Sequence, residues 1–322
     1  MGTEINRAKK RRERERIRRK KLFILCTSII VVSIGVTFAV ASKFGDKKDK
    51  LTVNAGTNDI KENQFEEKKE PEKPKIDNSG YLSLEEDPNA EDATLVSENT
   101  NGLLTGTKKY PVRTDGKKVV YLTFDDGPST TNTPEVLKIL DKYNVKGTFF
   151  VMGTSIDKND EAKKILKDIA KNGHAIANHT YGHDYNYLYP NRVINTENFM
   201  SDIEKNNKSM KNVLGKDFST RVIRFPGGYW SWNGRTAMKE KMVASGYLNI
   251  DWDALNRDAE GPHKNADQLL QETKKTVEAL GPNADNIVLL MHDTYGKEET
   301  VKALPQIIEY FQGKGFEFKT IK

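Results

Sequence analysis

Three textures of apolar and polar positions succeed one another along the chain. Leu22–Ser42 (LFILCTSIIVVSIGVTFAVAS) runs for 21 residues without a charge, long enough for a helix to span the ~30 Å hydrocarbon core of a bilayer. Residues 43–104 show neither period-2 nor period-3.6 apolar spacing. They carry a charge at 24 of 62 positions, with the run EEKKEPEKPK among them. Such a segment buries too little surface to offset its ordering entropy. It is expected to be a flexible stalk whose end, around Leu95, Val96, Leu103 and Leu104, docks on the domain C-terminal to it. From about residue 105, short apolar runs alternate with amphipathic stretches.

In that last part the pattern predicts strands at Val119–Phe124, Gly147–Met152, His174–Ala177, Arg221–Phe225, Tyr247–Trp252, Ile287–Met291 and Phe316–Ile321. Helices are expected at Thr133–Asn144, Glu161–Lys171, Glu197–Leu214, Gly234–Ala244, Ala266–Leu280 and Val301–Gln312. Thr133 reads as an N-cap with Pro134 at the first helical position. Strands alternating with helices argue for a parallel sheet. Seven such units in ~215 residues fit a closed or nearly closed β/α barrel better than an open sheet. A doubly wound sheet is the second choice.

Charge sharpens the ends of this picture. The 322 residues hold 52 Lys/Arg and 46 Asp/Glu, a net of +6. Residues 1–21 hold eleven basic residues against three Glu, a net of +8, and residues 43–104 carry −6. Residues 105–322 carry +4, so the folded part has no basic face for nucleic acid. The basic flank precedes the apolar run, which places residues 1–21 in the cytoplasm, 22–42 as a signal anchor and the catalytic part outside the cell membrane. A cleaved signal peptide, ending near Ala39-Val40-Ala41, is the alternative and would make the protein secreted. The single cysteine, Cys26, excludes an intramolecular disulfide framework. Oligomeric state is not legible.

Active sites of β/α folds form at the carboxyl ends of the strands. Five predicted strand ends carry ionisable residues: Asp125-Asp126, His179 and His183, Arg224, Asp253 with Asp258, and His292-Asp293. Each has a plain structural reading. Asp-Gly-Pro is an ordinary turn, a lone His-x-x-x-His is a weak signal, and tryptophans more often pack than bind sugars. Their coincidence on one rim argues otherwise. Asp126, His179 and His183 make a two-His, one-carboxylate set suited to Zn²⁺ or a similar divalent ion with an open position. Such an ion lowers the pKa of water from ~15.7 towards ~7. Asp125 can then act as base, with Arg224 keeping it ionised. His292 can protonate a departing amine, oriented by Asp258 or Asp293. Pro226-Gly227-Gly228 lets the backbone approach a substrate, with N–H groups facing an oxyanion. This is equipment for hydrolysing an amide.

TFDDGP (123–128), HTYGH (179–183), RFPGG (224–228) and LLMHD (289–293) together resemble the motifs of the polysaccharide deacetylases, the family-4 carbohydrate esterases with a NodB-type domain. The resemblance runs from about Tyr110 to Lys322. It implies a deformed (β/α)₇ barrel and a metal-dependent deacetylase, with Zn²⁺ foremost and Co²⁺, Ni²⁺ or Mn²⁺ as other candidates. It matches Asp125 to the catalytic base and Asp126, His179 and His183 to the metal ligands. Arg224 matches the base-tuning arginine and His292 the general acid. Pro226, Gly227, Gly228, Tyr229 and Trp230 are expected along the substrate groove. Three positions depart from the family pattern: Gly227 where Tyr is frequent, Leu255 where an Asp is frequent, and Ala259 where Trp is frequent. An outward-facing enzyme on a stalk suggests a wall polymer, N-acetylglucosamine in peptidoglycan first. Chitin oligomers, poly-N-acetylglucosamine, xylan or N-acetylmuramic acid are the other acetylated glycans. Two rival classes are a non-catalytic glycan-binding surface protein and a small-molecule amidase. The first would have lost ligands or the base, and the second would need a deep closed pocket.

Overall fold

The computed structural model describes residues 80–322. Among them no helix is long and apolar enough to cross a membrane. The apolar run Leu22–Ser42, the basic residues 1–21 and the stalk up to residue 79 lie outside the described residues.

The sheet is built from β2 (Val119–Asp125), β3 (Thr148–Val151), β4 (Ala175–Asn178), β5 (Val222–Ile223), β6 (Leu248–Asn249), β7 (Ala254–Leu255) and β8 (Asn286–His292). All pairings are parallel, in the order β6-β5-β4-β3-β2-β8-β7, with β9 (Glu317–Phe318) joining the start of β2. β2 is buried on both faces, and its alternation sorts the residues. Val120, Leu122 and Phe124 pack with Val136, Leu140, Ile165, Ile307 and Phe311 of the surrounding helices. Val119 and Tyr121 pack with Phe150, Ala177, Val222, Ile250 and Val288 on the inner face. Period 2 therefore carries Thr123 and Asp125 to the inner side, at the carboxyl end.

Of the expected closed or nearly closed barrel, the open form is observed: β6 and β7 are the two ends of the strand path, so the sheet is curled but open between them. The predicted strand Tyr247–Trp252 pairs only at Leu248–Asn249. The carbonyls of Ile250 and Asp251, which a longer strand would spend on a neighbour, instead accept from the Arg224 guanidinium at 2.8 and 3.2 Å. The last predicted strand is also two pieces, Glu317–Phe318 on β2 and β10 (Thr320–Ile321) on a separate partner. Thr133 is not an N-cap. The helix starts at Asn132, and the Thr133 hydroxyl donates to Asp293 Oδ2 at 2.6 Å.

The end of the expected stalk is part of the fold. β1 (Ala90–Glu91) pairs in parallel with β10, and α1 (Ala93–Thr105) comes next, with Asp92 accepting the Thr94 N–H as N-cap. Glu91 accepts from Tyr121 Oη at 2.6 Å and from Arg113 at 2.7 Å. Lys322 pairs with Asp87 at 2.8 Å, and Ser97 Oγ donates to the Asn249 carbonyl at 2.8 Å. The buried face of α1 is Ala93, Val96, Ser97, Asn99, Thr100 and Gly102. Small and polar letters hide a helical stripe from any apolar periodicity. A polypeptide starting at residue 106 should therefore melt ~5–10 °C below one starting at residue 80, measured by calorimetry. Equal melting would return residues 80–105 to the stalk.

Candidate active site

The chemistry-bearing side chains meet where β2, β4, β5 and β8 end. Asp125 and His292 are register partners on adjacent strands. Three non-glycine residues here hold a left-handed backbone: Asp126 (φ 70°), Thr180 (φ 66°) and His183 (φ 53°). Such strain persists only where surrounding contacts over-determine it, and it gathers at functional sites. Asp202 Oδ2 accepts the N–H groups of Tyr181 and Gly182 at 2.9 Å each, and so holds the His179–His183 turn.

Asp126 Oδ1 lies 3.4 Å from His179 Nε2 and 3.6 Å from His183 Nε2. One ligand atom from each of the three residues falls within 4.8 Å of the others. Asp126 Oδ1 is buried and makes no hydrogen bond, a state that costs free energy unless something else satisfies it. His179 Nδ1 lies 2.9 Å from the Arg224 carbonyl. It can only donate there, which leaves the Nε2 lone pair facing Asp126. Burial, and then the nearby His183, push the His179 pKa down to about 3, against the pull of Asp126. A neutral imidazole with its tautomer set is what a metal ligand requires. The residues present fit a divalent cation.

Asp125 is buried and sits against this group, with Oδ2 3.6 Å from His179 Nε2. Burial pushes its pKa up, while the Arg224 charge, 2.7 Å from Oδ1, pulls it down. Arg224 is itself fully buried. Its other donors go to Thr123 Oγ1 and the two β6-end carbonyls, and its guanidinium stacks over Phe150 at 3.8 Å. One orientation satisfies all of these, so Arg224 is a rigid support for Asp125.

His292 Nδ1 lies 2.7 Å from Asp258 Oδ1, and its Nε2 is 4.0 Å from Asp126 Oδ2. Asp258 also accepts from the His292 N–H and from Thr300 Oγ1. Burial alone would lower the His292 pKa. The hydrogen bond and charge of Asp258, with Asp125 and Asp126 beyond it, hold it at about 9. Of the two carboxylates expected to orient this ring, Asp258 does so. Asp293 turns away to Thr133 and the helix beneath the 125–129 loop. Asp253 accepts the Val288 N–H and serves the sheet. His174 stays outside the site and accepts the Gly147 N–H at 3.1 Å.

The glycine-rich loop corrects one expectation. The Gly228 N–H bonds the Phe225 carbonyl at 2.8 Å, and the Tyr229 N–H bonds Asp251 Oδ1 at 3.1 Å. Neither is free for an oxyanion, which leaves Gly227. Pro226 sits in the loop with its carbonyl accepting from Trp232 Nε1 at 2.9 Å. The side chains of Tyr229 and Trp230 point away from the metal group. Tyr229 Oη donates to the Arg235 carbonyl, and Trp230 Nε1 donates to Asn101 of α1. Both line a cavity of about 400 Å³ with Asn101, Lys239, Met242 and Tyr247, and neither Asp125, His292 nor the Asp126–His179–His183 group borders it. Sequence reasoning misses Tyr185 and Trp252. The Tyr185 ring lies 5.2 Å from that of His183, and Trp252 lies against Gly228. The only available signal is position, two residues after His183 and one before Asp253.

The family model described as polysaccharide deacetylase matches residues 112–244. A solved carbohydrate esterase family 4 enzyme from Streptococcus mutans is 33% identical, with a TM-score of 0.66, covering 76% of this chain and 100% of its own. A peptidoglycan-N-acetylglucosamine deacetylase of Bacillus cereus is 32% identical over 208 residues, 64% of this chain and 67% of the relative. A bifunctional xylanase/deacetylase of Pseudobutyrivibrio xylanivorans is 31% identical over 227 residues, 70% of this chain but only 33% of that longer protein. The likeness to the Streptococcus mutans enzyme extends over that protein's whole length at 33% identity, so this chain belongs to the polysaccharide deacetylase family.

Proposed function

We propose that the protein is a metal-dependent N-deacetylase that removes acetyl from N-acetylglucosamine residues of a cell-wall polysaccharide, peptidoglycan foremost. One observation carries the reading. An arginine-held carboxylate, Asp125, and a carboxylate-held imidazole, His292, stand on adjacent strands beside one potential metal group. A divalent cation held by Asp126, His179 and His183 would polarise the acetyl carbonyl and acidify a water. Asp125 takes the proton of the attacking water. The Gly227 N–H, which makes no hydrogen bond among the described residues, would receive charge on the carbonyl oxygen. His292 gives its proton to the nitrogen as the C–N bond breaks, so that acetate and a free amine leave. The amide needs this acid because an unprotonated amine leaves poorly. The peptidoglycan-active relative in Bacillus cereus supports the choice of polymer.

The test is mass spectrometry of muropeptides after incubating residues 80–322 with zinc and purified peptidoglycan. Loss of one acetyl group per disaccharide is expected. Acetate released from chitin oligomers or acetylated xylan alone would move the substrate to that glycan. No release from any of them, with zinc bound, would reject the reading.

We further propose that Leu22–Ser42 anchors the enzyme in the cell membrane, with the catalytic part outside. Protease added to intact cells should release active enzyme by cutting before residue 80. Spontaneous release with a new N-terminus at Ser42 would instead indicate a secreted protein.

A further inference from the structure

Tyr185 begins the short helix α2 (Tyr185–Leu188), whose first N–H groups are capped by Asp184. Its ring lies over His183 at 5.2 Å and meets Trp232 edge-on at 5.3 Å. Trp232 is held in turn by stacking on Tyr189 at 4.0 Å. Gly227 has φ +74°, and a Cβ there would fall 3.0 Å from Tyr185 Oη and 3.2 Å from Trp232. The Tyr185 hydroxyl therefore occupies the space that a side chain at position 227 would fill. Tyr185 is 45% exposed, and its hydroxyl makes no hydrogen bond among the described residues. The ring thus packs between His183 and Trp232, while its polar tip lies beside Gly227 with no hydrogen-bond partner among the described residues.

We infer that Tyr185 is a specificity-determining residue for the reaction. Its ring walls the acetyl pocket beside His183, and its hydroxyl donates to the carbonyl oxygen of the scissile acetamide. This rests on the deacetylase reading above. A donor aimed where negative charge develops stabilises the transition state more than the ground state. An aromatic wall next to a glycine where a Cβ would crowd its tip also limits the acyl group to the size of acetyl. Tyr187, on the same helix and 42% exposed, makes no ring contact with the site among the described residues and serves as the control.

The experiment compares wild type, Tyr185→Phe, Tyr185→Ala and Tyr187→Phe, all zinc-loaded, on N-acetyl- and N-propionyl-glucosamine tetramers. Zinc content should be equal in all four. Tyr185→Phe should lower kcat/KM by ~10-fold or more, mainly through kcat. Tyr185→Ala should also shrink the acetyl-over-propionyl preference by ~10-fold. Tyr187→Phe should behave as wild type. Wild-type kcat/KM in Tyr185→Phe, or an unchanged acyl preference in Tyr185→Ala, would overturn the inference. If the zinc-loaded wild type releases no acetate from the tetramers or from purified peptidoglycan, the deacetylase reading itself fails. Calorimetric binding of the acetyl tetramer then decides the role of Tyr185: affinity lowered ~10-fold in Tyr185→Ala supports the wall, and equal affinity removes it.

Discussion

Replacing Asp125 with Asn should lower kcat by ~10²–10⁴-fold while the zinc stays bound. The amide keeps the shape of the side chain and its bond from Arg224, but it cannot take a proton. Asp126, His179 and His183 do not depend on it as a ligand, because the atoms that converge on one point come from those three residues. His179→Ala is the contrast, since it removes a donor whose tautomer is set by the Arg224 carbonyl. That variant should lose zinc and activity together. Elemental analysis beside steady-state kinetics separates the two cases. Near wild-type turnover in zinc-loaded Asp125→Asn would show that another carboxylate is the base.

His292→Ala should lose a comparable ~10²–10⁴-fold, and the more informative variant is Asp258→Asn. An acid works only while protonated, so kcat/KM should fall as pH rises through the His292 pKa. In the native site that pKa is raised to about 9 by Asp258 in opposition to burial. Without the Asp258 charge, burial dominates, and the alkaline limb should move to lower pH. A cation beside Asp126 offsets the pull of that carboxylate equally in both proteins, so the shift between them reports Asp258. A limb that stays in place would mean that a different group donates the proton. The acidic side obeys the opposite logic. Asp125 must be ionised, and its folded pKa lies above the ordinary carboxylate value through burial. Activity should therefore fall as pH drops through the Asp125 pKa, which burial raises and which Arg224, with a cation at Asp126, would pull back down.

The residues proposed to do the chemistry are legible from sequence because they sit at the ends of apolar runs, and VVYLTF forms a fully buried strand. A strand that is buried on both faces delivers its last residues to the rim of a parallel sheet whatever the loops do. That reasoning alone puts Asp125, Asp126, His179, His183, Arg224 and His292 on the rim. It fails for segments whose conformation is set by distant partners. α1 buries Ser97, Asn99, Thr100 and Gly102, and a stripe of that composition carries no periodic signal. The sheet stays open between Leu248–Asn249 and Ala254–Leu255, and there the Ile250 carbonyl accepts from Arg224, 26 residues away along the chain.

The same division runs through the site. Residue type and position along the chain determined which groups are present: three metal-ligand candidates, a candidate base, a candidate acid and the arginine beside that base. Tertiary structure alone decided direction. Asp258 and Asp293 are equal candidates in one dimension, yet Asp258 reaches His292 and Asp293 is spent on Thr133. Trp230 and Tyr185 are both rim aromatics, yet Trp230 turns to Asn101 while Tyr185 lies against His183 and Gly227. Hydrophobic burial depends on residue type and needs only a pattern. Hydrogen-bond direction depends on where a second group stands in space, and the chain reveals that only once it has folded.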